Sequence, residues 1–311
     1  MKKLDRRKFI SQSAWAISAL GFSKLLGKEA LLAGNTKPKL TILHTNDLHS
    51  RIDPFPKQTP KFGNQGGLLR LASAVADIRK TENNVLLLDA GDVFQGTPYF
   101  NYFGGELEYT LMNEMGYDAT TLGNHDFDNG IVGLYKQMPK AKFQFLNCNY
   151  DVKNTPLSEY VKPYQIFEKN GLKIGVIGAG ISLQGLVNPQ LCADVHYLDP
   201  IDSVCGIAQN LKENLHCDLV ILLSHLGFEY ADNAFKVSDV VLAAQSQYID
   251  LILGGHTHTF LEEPVVVQNL KGQPVCIHQV GWAGLRLGHI EVSWNDLLAQ
   301  YTFSGKSINA F

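Results

Sequence analysis

Apolar residues along this chain gather into short, nearly unbroken runs separated by helical periodicities. The runs Leu40–Leu43, Val85–Leu88, Ala119–Leu122, Leu219–Leu223 and Ile249–Leu253 have the length and continuity of strands buried on both faces. Phe143–Asn147 reads as a further strand. Between them, Gly67–Lys80 places Leu68, Leu71, Ala72, Val75 and Ile78 at helical spacing. Tyr99–Met115 reads as one helix stopped by Gly116, and Ile131–Met138, Asp202–His216 and Asp239–Ala244 as others. Gln165–Glu168 and Leu172–Gly178 flank Asn170-Gly171, the strongest two-residue hairpin signal. Ser50–Gln65, rich in Pro, Gly and Lys, is a loop. From Pro264 onward the pattern is all β: Val265–Gln268, Val275–Val280, Arg286–Ser293 and Tyr301–Ser304. Alternating strands and helices followed by a β-rich end predict an α/β fold of two packed sheets flanked by helices.

The polar residues just beyond the five principal runs carry the chemistry. They are Asp47-x-His49, Gly91-Asp92, Gly123-Asn124-His125-Asp126, Ser224-His225 and Gly254-Gly255-His256-Thr257-His258. Strand ends that deliver Asp, His and Asn into one crevice are how an α/β scaffold builds a site. Seven metal-type ligands result: Asp47, His49, Asp92, Asn124, His225, His256 and His258. They exceed the need of one tetrahedral ion and suit two ions sharing a bridging carboxylate, a clamp for a phosphoryl group. Asp47 and His49, two apart on extended backbone, are expected to point the same way. His125 has Asp128 three residues on. A carboxylate there either orients the imidazole and favours its cation or caps the helix starting near Asn129. Asp126 reads as facing solvent. His44, His196, His216, His278 and His289 fall outside the motifs and read as surface or satisfied core positions.

The ordered set resembles the calcineurin-like metallophosphoesterase superfamily. The flanks Thr45-Asn46-Asp47-Leu48-His49, Gly91-Asp92-Val93-Phe94-Gln95-Gly96, Gly123-Asn124-His125-Asp126-Phe127-Asp128 and Gln279-Val280-Gly281 are similar to its 5′-nucleotidase branch. The likeness runs from about Leu40 to Val292. It implies a four-layer α/β/β/α sandwich with two divalent ions (Mn, Zn, Co or Fe). One ion would take Asp47, His49, Asp92 and His258. The other would take Asp92, Asn124, His225 and His256, with Asp92 bridging. Many relatives carry Gln at the last place, so His258 is a departure that softens the donor set. The resemblance makes His125 and Asp128 the catalytic dyad, with metal-bound hydroxide attacking phosphorus in line. The implied activity is a phosphomonoesterase acting on nucleoside 5′-monophosphates or related phosphate esters. The alternatives are a 2′,3′-cyclic phosphodiesterase, a sulfur-ester hydrolase on the same metals, or a non-catalytic metal-binding subunit of a two-chain nucleotidase. Relatives of full length carry a second, base-binding domain. A separate chain resembling it is therefore an expected partner, unless the chain works alone with broad range.

Composition narrows the classes further. With 311 residues and 45% hydrophobic content the chain can bury a large core. A net charge of −3 argues against binding a nucleic-acid polymer through basic patches. No Walker-type loop occurs, which argues against phosphoryl transfer between nucleotides. Residues 1–33 hold 7 of the 27 basic and 2 of the 30 acidic groups, leaving net −8 beyond them. Two divalent cations would offset about half of that. Arg6-Arg7 followed by the weakly apolar Ala14–Phe22 resembles a twin-arginine export signal over 1–33, with cleavage near Ala33-Gly34. An amphipathic cytosolic helix is the other reading. The apolar stretch is too short to span a bilayer, so the membrane is involved only if the leader stays uncleaved. The expected organisation is an export signal (1–33), a linker (34–39) and a catalytic domain (40–311), located in the periplasm. Five cysteines without a Cys-x-x-Cys pattern read as buried small hydrophobes, with Cys192–Cys205 the nearest candidate pair.

Overall fold

The computed structural model describes residues 40–233, 236–298 and 300–310. The leader and linker read from the sequence lie outside them. Residues 40–292 with 303–310 form one compact unit, and the hairpin tip Ser293–Thr302 falls outside it. Among the described residues no helix is long and apolar enough to cross a membrane.

In chain order the strands are β1 (Leu40–Thr45), β2 (Val85–Asp89), β3 (Ala119–Thr121), β4 (Gln144–Leu146), β5 (Tyr150–Asp151), β6 (Val161–Lys162), β7 (Tyr164–Lys169), β8 (Leu172–Gly180), β9 (His196–Tyr197), β10 (Leu219–His225), β11 (Leu251–Gly254), β12 (Val265–Gln268), β13 (Pro274–His278), β14 (Arg286–Asn295) and β15 (Gln300–Asn309). One sheet runs β15-β14-β1-β2-β3-β4-β6, the other β12-β13-β11-β10-β8-β7, and β5 pairs with β9. From β1 to β6 the first sheet is parallel, and so is the second from β8 to β13. Parallel strands point their C-terminal ends the same way. The loops after β1, β2, β3, β10 and β11, which carry the singled-out residues, therefore open on one side of the molecule.

Alternation within the strands gives the layers. Leu43 and Leu87 join a core with Leu68, Leu71 and Val75 of α1 (Leu68–Thr81). The intervening Ile42, Leu86 and Leu88, fully buried, point to the opposite face of the sheet. In β10, Val220 and Leu222 meet Val204, Ala208 and Leu211 of a helix over Pro200–Glu213, and Leu242 and Ala243 of a helix over Asp239–Gln245. Leu219, Ile221 and Leu223 alternate with them and are buried on the inner side. Hydrogen bonds cross between the sheets, from the ring of His44 to that of His278 (2.8 Å) and from Cys148 N–H to Gly178 O (2.8 Å). The architecture is the expected helix–sheet–sheet–helix sandwich.

Local chemistry explains the boundaries. The hairpin turn holds Asn170 and Gly171 at φ 51° and 75°, as a type I′ turn requires. The Pro200–Glu213 helix starts two residues earlier than its periodicity suggests. The Asp199 carboxylate accepts from Ile201 N–H and Asp202 N–H, and Pro200 fills the first helical position. The expected single helix Tyr99–Met115 is in fact two, α2 (Pro98–Phe103) and α3 (Glu106–Met115). Gly104 and Gly105 break it, at φ 59° and 99°. The Phe94 ring sits where a Cβ on Gly105 would be, 2.3 Å from its Cζ, so only glycine admits it. All five cysteines are free thiols.

Candidate metal centre

The loops beyond the strand ends bring two clusters of ligand atoms together. Asp47, His49 and His258 form one, and Asp92, His225 and His256 the other. In the first, His49 Nε2 lies 3.0 Å from His258 Nε2, and Asp47 Oδ1 lies 3.7 Å and 3.3 Å from these two nitrogens. In the second, His225 Nε2 is 3.0 Å from Asp92 Oδ2. Asn124 joins that cluster, its Oδ1 3.0 Å from His256 Nδ1. Asp47 Oδ1 also comes within 4.0 Å of His225 Nε2, so the two clusters are contiguous. His225 does not follow its strand, as the sequence suggests, but ends β10.

The backbone here differs from the extended one expected for Asp47 and His49. They sit at φ 51° and 50°, beyond the end of β1. Asp92, His256 and His258 share this left-handed conformation, at 55°, 74° and 52°. Left-handed non-glycine residues cost about 1–3 kcal/mol each and persist only where surroundings over-determine them. Those surroundings are hydrogen bonds. Asp47 N–H donates to Gly91 O, His49 N–H to Asp92 O, and His256 N–H to the Asp47 carboxylate. Gly123 lets the turns touch, since a Cβ there would lie 2.2 Å from Asp92 Oδ1.

The donor set fits cations. His225 Nδ1 lies 2.7 Å from Ala90 O and must donate to it, which leaves a bare lone pair on Nε2 when the ring is neutral. That Nε2 is buried, has no hydrogen-bond partner, and faces a carboxylate. His49 Nδ1 likewise faces Phe94 O at 3.3 Å, so its Nε2 lone pair points at a second imidazole nitrogen. Each of these close pairs is satisfied by a shared proton or by a cation seated between the two atoms. Burial disfavours a charged His225, but the Asp92 carboxylate outweighs it and pushes the imidazole up to about 10. Burial also works against the Asp92 charge, yet His225, His49 and His125 hold it well below the carboxylate range. His256 is pushed down to about 4, by burial and then by His225. Burial lowers His49 as well. In His256 and His49 this favours the neutral imidazole, the form that coordinates a metal.

His125 stands beside the first cluster, its ring centroid 5.3 Å from that of His49. Its Nδ1 is 2.8 Å from Asp128 Oδ2, and its backbone N–H donates to Asp92 Oδ1. The bond to Asp128 raises the imidazole above its ordinary value although partial burial opposes this. Asp128 is thus engaged with His125, and Asn129 is the residue at the start of the helix over Gly130–Gln137. Asp126 does not face solvent. It is 1% exposed, and its carboxylate accepts from the backbone N–H of Asp92, Val93, Phe94 and Gly123. It ties the Asp92 turn to the Asn124 turn.

Three further residues brace the site. Asn46 donates to Asp47 Oδ2 and to Gly281 O, and accepts from Val280 N–H. The Gln279 side chain donates to Gly255 O and accepts from Thr257 Oγ1 and Thr259 N–H, holding the His256–His258 loop. Trp282 lies flat against the His258 ring. Asn46 and Gln279 stand inside the motif flanks quoted above, but nothing in their spacing reveals these partners. Of the histidines outside the motifs, His44 and His278 are a buried, mutually bonded pair, and His196 is on the surface.

A model of the calcineurin-like phosphoesterase family matches residues 40–260. Over 296 residues the chain is 33% identical to the 5′-nucleotidase of Bos taurus, covering 88% of this chain and 50% of that protein. In structure it is similar to the 5′-nucleotidase precursor from Thermus thermophilus, with a TM-score of 0.77, 30% identity, and coverage of 87% of this chain and 54% of that one. It is also similar to the NAD nucleotidase of Haemophilus influenzae, with a TM-score of 0.74, 27% identity, and coverage of 87% and 49%. The chain spans about half the length of the curated relatives it matches.

Proposed function

The chain belongs to the calcineurin-like phosphoesterase family, and on that premise we propose that it hydrolyses phosphate monoesters, nucleoside 5′-monophosphates foremost, with two divalent cations. Asp47, His49, Asp92 and His258 would hold one ion, and Asp92, Asn124, His225 and His256 the other. When bound, such a pair supplies a nucleophile from water at neutral pH and neutralises charge on the phosphoryl oxygens. The protein's own residues do the rest. His125 meets the leaving oxygen and gives it a proton or a hydrogen bond. Asp128 fixes the tautomer and keeps the ring cationic to higher pH. Asp92 Oδ1, accepting from His125 N–H, ties the proton donor to the ligand set. The observation that carries this reading is the placement of the His125–Asp128 pair against two contiguous ligand clusters.

The test is a substrate panel on chelated and reloaded protein. AMP, 2′,3′-cyclic AMP and a chromogenic phosphate are assayed with Mn, Zn and Co, beside metal analysis of the same samples. Chelation should abolish AMP hydrolysis, and recovery should track a stoichiometry near two. One metal per fully active chain would sink the two-ion reading. Preference for the cyclic diester would sink the monoester reading. From the sequence of residues 1–33 we also propose export by the twin-arginine route. Replacing Arg6 and Arg7 by Lys should then retain the protein in the cytoplasmic fraction, and unchanged fractionation would refute it.

A further inference from the structure

We propose that Trp282 is the positioning residue for His258, holding its imidazole by offset stacking where His225 and His49 use a hydrogen bond. The inference rests on the two-ion reading above. A ligating histidine is ordinarily oriented by a bond from its second ring nitrogen, which fixes both tautomer and ring plane. His225 has this bond through Ala90 O, and His49 through Phe94 O. His258 does not. Among the described residues no acceptor meets its Nδ1, its side chain is 39% exposed, and its backbone is left-handed. Besides the indole, its ring meets the edge-on ring of His49 at 5.0 Å and the carboxylate of Asp47, both ligands of the same cluster.

The indole supplies the restraint. The ring centroids of His258 and Trp282 are 5.4 Å apart with planes 5° from parallel, an offset stack. Trp282 is itself fixed. Phe55 packs edge-on at 5.6 Å, and the backbone is anchored on both sides of the tryptophan. Gly281 O accepts from Asn46 Nδ2, and Ala283 N–H donates to Asp47 O at 2.7 Å. The segment that carries the indole is thus bonded to the residues that carry and orient Asp47, the carboxylate of the same cluster. Metal ligation also draws electron density from the imidazole, and an electron-poor ring is attracted to the electron-rich indole face. Stack and ion should therefore reinforce each other.

The experiment titrates the full, chelated chain with Co(II), reading the visible absorption bands of the bound ion and the two stepwise affinities. Trp282→Leu should weaken one of the two steps about tenfold and change its bands, leaving the other step within a factor of about two, as loss of an orienting partner does. Trp282→Phe, which keeps a flat ring, should restore most of the affinity. In a His258→Ala background, Trp282→Leu should cause no further loss. Equal weakening of both steps by Leu and Phe alike would make Trp282 a packing residue and overturn the proposal. Unchanged cobalt affinities with a raised KM for AMP alone would overturn it in favour of a substrate-stacking role. If the unsubstituted chain bound a single cobalt, it would be the two-ion reading that failed.

Discussion

Replacing Asp126 by Asn should unfold this protein more readily than any change of ordinary surface chemistry, because one carboxylate serves two turns. Its Oδ1 accepts from Val93 N–H and Phe94 N–H, its Oδ2 from Asp92 N–H and Gly123 N–H, at 2.8–3.3 Å. Asparagine keeps one acceptor oxygen. Whichever way the amide turns, two backbone donors lose their partner and face an NH2 group. Hydrogen bonds to charged groups are worth ~1.5–3 kcal/mol each, so two lost bonds cost ~3–6 kcal/mol. Burial and the Asp92 charge, which push Asp126 up to about 7, already oppose its ionised form. The lower end, ~3 kcal/mol, is therefore expected. At ~2–4 °C per kcal/mol for a domain of this size, the melting temperature should fall by roughly 6–12 °C. The assay is thermal unfolding followed by circular dichroism, metal-free and metal-loaded, with the surface variant Asp77→Asn as control. Cobalt affinity should fall in parallel, since the Asp92 and Asn124 turns are no longer held together. A melting temperature within about 2 °C of the unsubstituted chain would refute the clamp.

Four further outcomes are expected, three at the site and one beside it. Asp92→Asn should lower the affinity of both metal-binding steps, whereas Asp47→Asn should spare one. Because Asp47 Oδ1 also approaches His225, the reverse pattern in a two-step titration would transfer the bridging role to Asp47. His125→Asn should keep both metals but reduce turnover ~10²–10⁴-fold. Asp128→Asn should cost less and move the alkaline limb of the pH–rate profile to lower pH, since that bond raises the His125 imidazole; an unmoved limb would remove Asp128 from the dyad. Asp239 is fully buried, bonded at one oxygen to Ser224 and unpartnered at the other, and burial pushes it up to about 8 from 3.8. The folded chain then binds this proton more tightly than the unfolded one, so the stability this group contributes is fully present below about pH 4 and is lost as the pH rises to about 8. Asp239→Asn should flatten that decline in melting curves taken across the window, and an unchanged slope would show the group to be ionised in the fold.

The parts legible in the sequence are those set by local pattern. Val85–Leu88 and Leu219–Leu223 announce buried parallel strands because both their faces are covered, and Asn170-Gly171 announces its turn because few other pairs tolerate two left-handed residues. The seven candidate ligands can be named in advance, and the structure does gather them, because Asp, Asn and His beyond apolar runs have few other reasons to recur. What escapes is set by loops meeting at a distance. The break at Gly104-Gly105 depends on Phe94 arriving from another segment. β5 and β9, two residues each, exist only through their mutual pairing. Asp126 reads as solvent-facing because its four donors come from residues 92 to 94 and 123, a constellation that no periodicity encodes. The stack of Trp282 on His258 joins a loop to the far side of a hairpin in the same way.

Five of the seven gathered side chains hang from left-handed backbone. Asp, Asn and His enter that region several-fold more readily than other non-glycine residues, and they are also the coordinating side chains. This coincidence restricts how the centre can be re-engineered. A saturation library at positions 47, 49, 92, 256 and 258 would not sample coordination chemistry alone, because Glu or Cys there carries a conformational handicap before any ion arrives. Asn124, on right-handed backbone, and His225, at the end of β10, carry no such handicap. Selection for a different metal is expected to accumulate its unusual ligands at those two positions, while the other five interchange only within the Asp, Asn and His alphabet.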